Sequence, residues 1–133
     1  MKKIVLLLFC FIIAIGLTAQ DRKIEIKSAT ASSYQPGEDI VKAIDGKTGT
    51  IWHTSWNATS FPVTYTLTLT EATHIDYLRY IPRQDGGSNG NWNDVAVSYC
   101  TTTTGTTFTE IGNYKLNGSG NAYDFIMPEG GID

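Results

Sequence analysis

The chain has 133 residues, is 41% hydrophobic and 17% charged, and carries a formal net charge of -3. That is the length of one domain, which excludes an enzyme with a separate cofactor domain. The acidic balance also excludes the basic footprint of a nucleic-acid binder.

In chain order, Met1-Lys2-Lys3 is followed by fourteen apolar or small residues, Ile4 to Leu17, and a Thr18-Ala19 exit. A charged start, a short apolar run and a small-residue exit mark residues 1–19 as a secretory signal peptide. The run falls short of the roughly 18 to 20 apolar residues a membrane-spanning helix needs. Export implies a secreted, periplasmic or cell-surface domain over residues 20–133. Losing Lys2 and Lys3 takes its net charge from -3 to -5, and losing Cys10 leaves Cys100 as the only thiol, so no internal disulfide can form. Stability must then come from the core and from any bound ion. At this length a domain buries about two-thirds of its unfolded surface.

Beyond residue 20 no helical apolar period lasts three turns, whereas short alternating runs recur, so the class is all-β. Lys23 to Lys27 alternates with period 2. Val63 to Thr70 does so without a break, placing Val63, Tyr65, Leu67 and Leu69 on a core face and four threonines on a face expected to meet water. Ile75 to Ile81 and Asp94 to Cys100 read as further strands. Thr101 to Gly105 reads as a hairpin turn into Thr106-Thr107-Phe108, and Ala122 to Met127 as a last strand stopped by Pro128.

Two long segments, Tyr34 to Phe61 and Pro82 to Asn93, do not alternate, and they hold all three tryptophans, His53 and Arg83. Loops this long in a compact domain usually bind something. In the first, Asp45-Gly46 starts a tight turn. Its carboxylate stands beside main-chain carbonyls and a threonine hydroxyl, which is oxygen chemistry suited to a hard cation such as calcium; a plain turn capped by Asp45 is the competing reading. Next comes Trp52-His53-Thr54-Ser55-Trp56, and the second loop adds Arg83, Asn89 and Trp92. An indole face with an imidazole, a guanidinium and a carboxamide is what a sugar requires: an apolar platform for its C–H face and fixed partners for its hydroxyls. The competing readings are a core role for Trp52 and a plain surface pair for His53 and Trp56.

The ordered set Ala43-Ile44-Asp45-Gly46, Thr50 to Trp56, Pro62, Tyr77 to Tyr80, Pro82 to Gly86 and Asn89-Gly90 resembles the coagulation factor 5/8 type C, or discoidin, family. The segment from Trp52 to Trp56 looks most like that of the bacterial galactose-binding-like carbohydrate-binding modules. The resemblance runs from about Ser28 to the end of the chain. It implies a jelly-roll β-sandwich of two antiparallel sheets with ligand loops at one end. It also implies a structural calcium held by the carbonyls of Lys42 and Lys47, the Asp45 carboxylate and Thr50, and sugar contacts from His53, Trp56, Arg83 and Asn89. Trp92, on the same loop as Arg83 and Asn89, completes the expected site. Members continue past a segment like Met127 to Gly131 into closing strands that pair with the opening one near Ile24 and Ile26. The expectation is therefore a sandwich lacking its C-terminal strands, with an open edge and a calcium shell short of one glutamate.

The function expected is non-catalytic binding of galactose-type or amino-sugar glycans, with an attached or associated glycan-processing enzyme in a full-length form. The alternative is a discoidin-type adhesion domain for protein or phospholipid, against which the polar loops and the charge of -5 argue where membranes are anionic. Enzymatic chemistry is the weakest reading. The sequence has only two histidines, His53 and His74, and neither a His-Glu-x-x-His run nor a nucleophile elbow.

Overall fold

The computed structural model describes residues 21–57, 60–128 and 132, so the expected signal segment lies outside them. Among these residues there are six strands and one short helix: β1 (Ile26–Ala31), a 3-10 turn η1 (Ile40–Ala43), β2 (Tyr65–Leu69), β3 (Tyr77–Tyr80), β4 (Asp94–Tyr99), β5 (Thr109–Lys115) and β6 (Tyr123–Ile126). All pairings are antiparallel: β1 with β2, β3 with β6 and β4 with β5. The all-β class is as expected. Among the described residues, however, the strands form three two-stranded ladders in place of two broad sheets.

Strand β1 starts at Ile26, inside the alternating run from Lys23 to Lys27, and one residue is inserted at Lys27. Ile26 pairs with Leu69 and Ser28 already pairs with Thr68, so Lys27 has no partner of its own. A bulge of this kind reverses the parity of the side chains. Ile24 and Ile26 are half-buried before it, and Ala29 and Ala31 after it. In β2 all five residues are half-buried, Thr66 and Thr68 included, so the threonine face expected in water is partly covered.

Strand β5 carries no clean alternation, and it stands later in the chain than the strand expected at Thr106–Phe108. A second bulge breaks the alternation. Val97 pairs with Gly112 and Ser98 with Glu110, which leaves Ile111 as the extra residue and puts the half-buried Ile111 and Tyr114 three positions apart. The connection from Tyr99 to Thr109 is correspondingly longer than a tight hairpin.

Phe125, at 0% exposure, is the centre of the core with Leu116 and Met127. Leu78 and Tyr80 from β3, Val95 and Val97 from β4, and Ile111 and Tyr114 from β5 pack around it, so the β3/β6 ladder faces the β4/β5 ladder. Burying a phenylalanine contributes about 1.5–3 kcal/mol. An aromatic column joins β1/β2 to this core. Tyr65 lies 5.5 Å from Trp52 and 5.2 Å from Trp92, and Trp92 stacks on Tyr80 at 4.0 Å with 6° between the planes. Burial in this column pushes the Tyr65 phenol well above its ordinary pKa. Ile132 bridges back to Ile75, donating 3.2 Å to its carbonyl and accepting at 2.9 Å. None of the described helices is long and apolar enough to cross a membrane.

Candidate functional site

Asp39 opens the first loop's helical turn, its side chain accepting from the Val41 amide at 3.1 Å and seating Ile40 in the interior. The chain leaves η1 through Ile44 into Asp45-Gly46, where Gly46 takes φ 74°, a left-handed conformation that favours glycine. Asp45 Oδ1 accepts from the Lys47 amide at 2.8 Å. The Thr50 hydroxyl lies 2.8 Å from Asp45 Oδ2, 3.0 Å from Oδ1 and 3.1 Å from the Lys47 carbonyl oxygen. A hydroxyl has one proton, so three acceptor oxygens converge on a single hydrogen. The Lys47 amide and the Thr50 hydroxyl hold the Asp45 carboxyl below its ordinary pKa, with smaller help from the Lys47 and Lys42 charges. Three of the four residues expected to bind calcium thus present converging oxygens. Lys42 is held by its amide, which donates to the Asp39 carbonyl at 3.1 Å, and by its ammonium, which donates to the Gly37 carbonyl.

His53 and Trp56 are held by a segment that carries no site residue expected from the sequence. The Gln35 amide donates to the His53 carbonyl at 2.8 Å, and the His53 amide donates to the Glu38 carbonyl at 3.1 Å. Gln35 Oε1 accepts from the Trp56 amide at 3.1 Å, and Ser33 Oγ accepts from the Ser55 amide at 3.0 Å. Trp52 turns inward, its indole donating to the Ser33 carbonyl at 3.2 Å, whereas Trp56 is 72% exposed. Tandem polar residues from Ser32 to Gln35 are the only sequence signal of this brace, and such runs are common in loops. The His53 Nδ1 lies 2.6 Å from the Thr54 carbonyl oxygen. A carbonyl can only accept, so Nδ1 carries the proton and a neutral ring offers Nε2 as an acceptor.

The second loop is locked by an ion-pair fork. Arg83 Nε and Nη2 donate to Asp85 at 2.6 and 2.5 Å, and Asp85 Oδ1 also accepts from the Gly87 amide at 3.0 Å. The fork, with that amide, drives the Asp85 carboxyl far below the usual carboxylate range. Arg83 is held high chiefly by Asp85, with a smaller contribution from the Glu38 charge. Arg83 Nη1 donates to the Asn89 carbonyl at 3.0 Å. Three of its five N–H groups are used within the loop, which leaves two for a ligand.

Gly90 joins the two loops. It takes φ 85°, and a Cβ built there would lie 3.1 Å from His53 Nε2. His53, Thr54, Ser55, Trp56, Phe61 and Asn89 therefore line one open hollow of about 320 Å³. Arg83 touches this site through the Asn89 backbone but itself lines a neighbouring hollow with Gln84 and Ser88. Trp92 is not part of either; its ring is in the aromatic column and its amide donates to the Tyr80 hydroxyl at 3.2 Å. It supports the loop from below. Phe61, which is 73% exposed at the rim, is a lining residue that no motif in the sequence singles out.

Residues 28–127 match the F5/8 type C domain family. Among solved structures, the chain is similar to the CpGH89CBM32-5 module from Clostridium perfringens in complex with GalNAc-β-1,3-galactose, with a TM-score of 0.69, 31% identity and coverage of 76% of this chain and 74% of that one. It is also similar to the family 32 carbohydrate-binding module of C. perfringens NanJ in complex with galactose, with a TM-score of 0.64, 20% identity and coverage of 75% and 71%, a likeness of fold alone. The CBM32-1 and CBM32-2 domains of C. perfringens ZmpB give a TM-score of 0.61 and 26% identity over 76% of this chain and 29% of that one. Galactose oxidase from Gibberella zeae is 39% identical over 66 residues, 47% of this chain. The chain spans about 10% of that protein's length.

Proposed function

The chain belongs to the F5/8 type C domain family, with its jelly-roll β-sandwich fold, and on that premise we propose that it is a non-catalytic carbohydrate-binding module for galactose-type or amino-sugar glycans. The observation that carries this reading is the hollow that His53, Asn89 and the largely exposed Trp56 line together. Trp56 supplies an apolar platform for the C–H face of a pyranose. His53 accepts from a hydroxyl, while Asn89 can both donate and accept, so the pair discriminates hydroxyl orientation. The GalNAc-β-1,3-galactose bound by the 31% identical C. perfringens module supports this ligand class. Because Asp85 compensates the Arg83 charge, the site suits neutral sugars better than acidic ones. The galactose oxidase match covers too little of that enzyme to bring its chemistry here.

The turn at Asp45 fits a structural calcium. Calcium takes six to eight oxygens, and Asp45, the Lys47 carbonyl and Thr50 Oγ1 already converge. A cation there would relieve the crowding of acceptors around one hydroxyl proton and would pin the turn six residues before Trp56. Lys42 would add its carbonyl. Export by residues 1–19 and association with a glycan-processing enzyme complete the proposal.

Titration calorimetry of the folded protein with galactose and N-acetylgalactosamine tests the binding. Open, wet sites of this kind bind at about -8 to -4 kcal/mol, micromolar to millimolar. Weaker binding is expected in both His53→Ala, by about tenfold, and Trp56→Ala, severalfold. A folded protein that binds nothing on a glycan array would defeat the reading.

A further inference from the structure

Phe61 and Trp56 are 73% and 72% exposed, yet they line the same hollow as the polar groups of His53 and Asn89. Water around two large apolar side chains is costly, and an exposed aromatic pair beside convergent polar groups marks a surface that is covered in use. Neither ring takes part in an aromatic contact among the described residues. Most of the surface of each side chain is open to solvent. At about 320 Å³ the hollow falls within the range of about 300 to 1,000 Å³ that holds drug-sized ligands, and a single hexose is well below that size.

We propose that Phe61 is a second platform, one that takes the sugar ring next to the ring held by Trp56, His53 and Asn89, so that the chain prefers a disaccharide to a monosaccharide. The inference rests on the carbohydrate-binding reading and adds a specificity residue to it. His53 and Asn89 offer the hydrogen-bonding groups that define orientation, and they share the hollow with Trp56. Phe61 brings no polar group, so it contributes affinity for a second ring without dictating its hydroxyl pattern. The site should accept several linkages beyond a fixed terminal residue.

Calorimetry of the full chain with galactose, lactose and GalNAc-β-1,3-galactose separates the possibilities. A stacked ring contributes about 0.5–1.5 kcal/mol, so at least one disaccharide should bind roughly three- to tenfold tighter than galactose. Phe61→Ala and Phe61→Leu should abolish that gain, lowering disaccharide affinity roughly three- to tenfold and galactose affinity by clearly less, and Phe61→Trp should retain it, with melting curves confirming that each variant is folded. Equal weakening of galactose and disaccharide would place Phe61 against the first ring and overturn the proposal, as would no effect of Phe61→Ala on either. Phe61-dependent binding to phosphatidylcholine vesicles without any disaccharide gain would assign the aromatic pair to a bilayer instead and would overturn it equally. If the wild-type chain binds none of these sugars, the carbohydrate reading itself fails, and this inference with it.

Discussion

The His53 Nδ1 stands 2.6 Å from the carbonyl oxygen of Thr54, a contact that makes Nδ1 the donor of the neutral ring and leaves Nε2 as its acceptor. With Nδ1 committed as donor, Nε2 of the neutral ring would accept from a hydroxyl of the proposed sugar. His53→Ala should lower galactose affinity by about tenfold, the equivalent of one hydrogen bond at 1–1.5 kcal/mol. Melting temperature should change little. Calorimetry and a thermal melt on the same sample check both.

Gly90 sets the position of His53. Gly90→Ala forces a side chain into a left-handed backbone, at about 1–2 kcal/mol, and brings its Cβ to 3.1 Å from His53 Nε2. Gly86 has a similar φ of 83° with nothing within 4 Å. Both variants should lose similar stability, but only Gly90→Ala should also weaken sugar binding. Equal affinities in the two would show that Gly90 does not position the histidine.

Two tryptophans should respond in opposite ways. Trp92, stacked on Tyr80 and close to Tyr65 and Phe125, should cost about 3–5 kcal/mol as Trp92→Ala. Trp56→Ala should change stability by no more than about 0.5 kcal/mol while lowering affinity severalfold. Urea denaturation and sugar titration measure the two effects independently.

Acid should destabilise the chain through Asp45, Asp85 and Asp124. Each carboxyl is held below its ordinary pKa, by the Lys47 amide and Thr50, by Arg83 and the Gly87 amide, and by Arg79 respectively. Depressed values in the folded state mean that the unfolded chain takes up protons first. The stabilisation is thus complete above the unfolded carboxylate pKa of about 4 and is lost as pH falls through the lower folded values. Melting temperature should be flat near neutrality and drop below about pH 4, and Asp85→Asn should remove part of the drop. All three groups are solvent-screened, so added salt should shrink it.

Calcium removal offers a separate check. Binding to the folded state alone stabilises by about 2.7 kcal/mol at a hundredfold excess over Kd. Excess chelator should therefore lower the melting temperature and weaken sugar binding together, and Asp45→Ala should make the protein indifferent to chelator. A melting curve that does not move would count against a structural calcium.

Two kinds of information divide this protein between sequence and tertiary structure. The β class was legible because period-2 runs such as Tyr65–Leu69 and Asp94–Tyr99 are dictated locally by side-chain alternation. The turn from Asp45 to Thr50 was legible too, since its contacts span no more than five residues. The bulges at Lys27 and Ile111 were not, because an inserted residue is defined only by the strand opposite it. Nor were the braces from Ser33, Gln35 and Glu38 to the His53 loop, which join residues about 15 to 22 positions apart. Composition alone made Trp56 and Trp92 equal candidates. Only the packed fold separated them, because an indole becomes core or platform according to whether other strands supply rings to cover it.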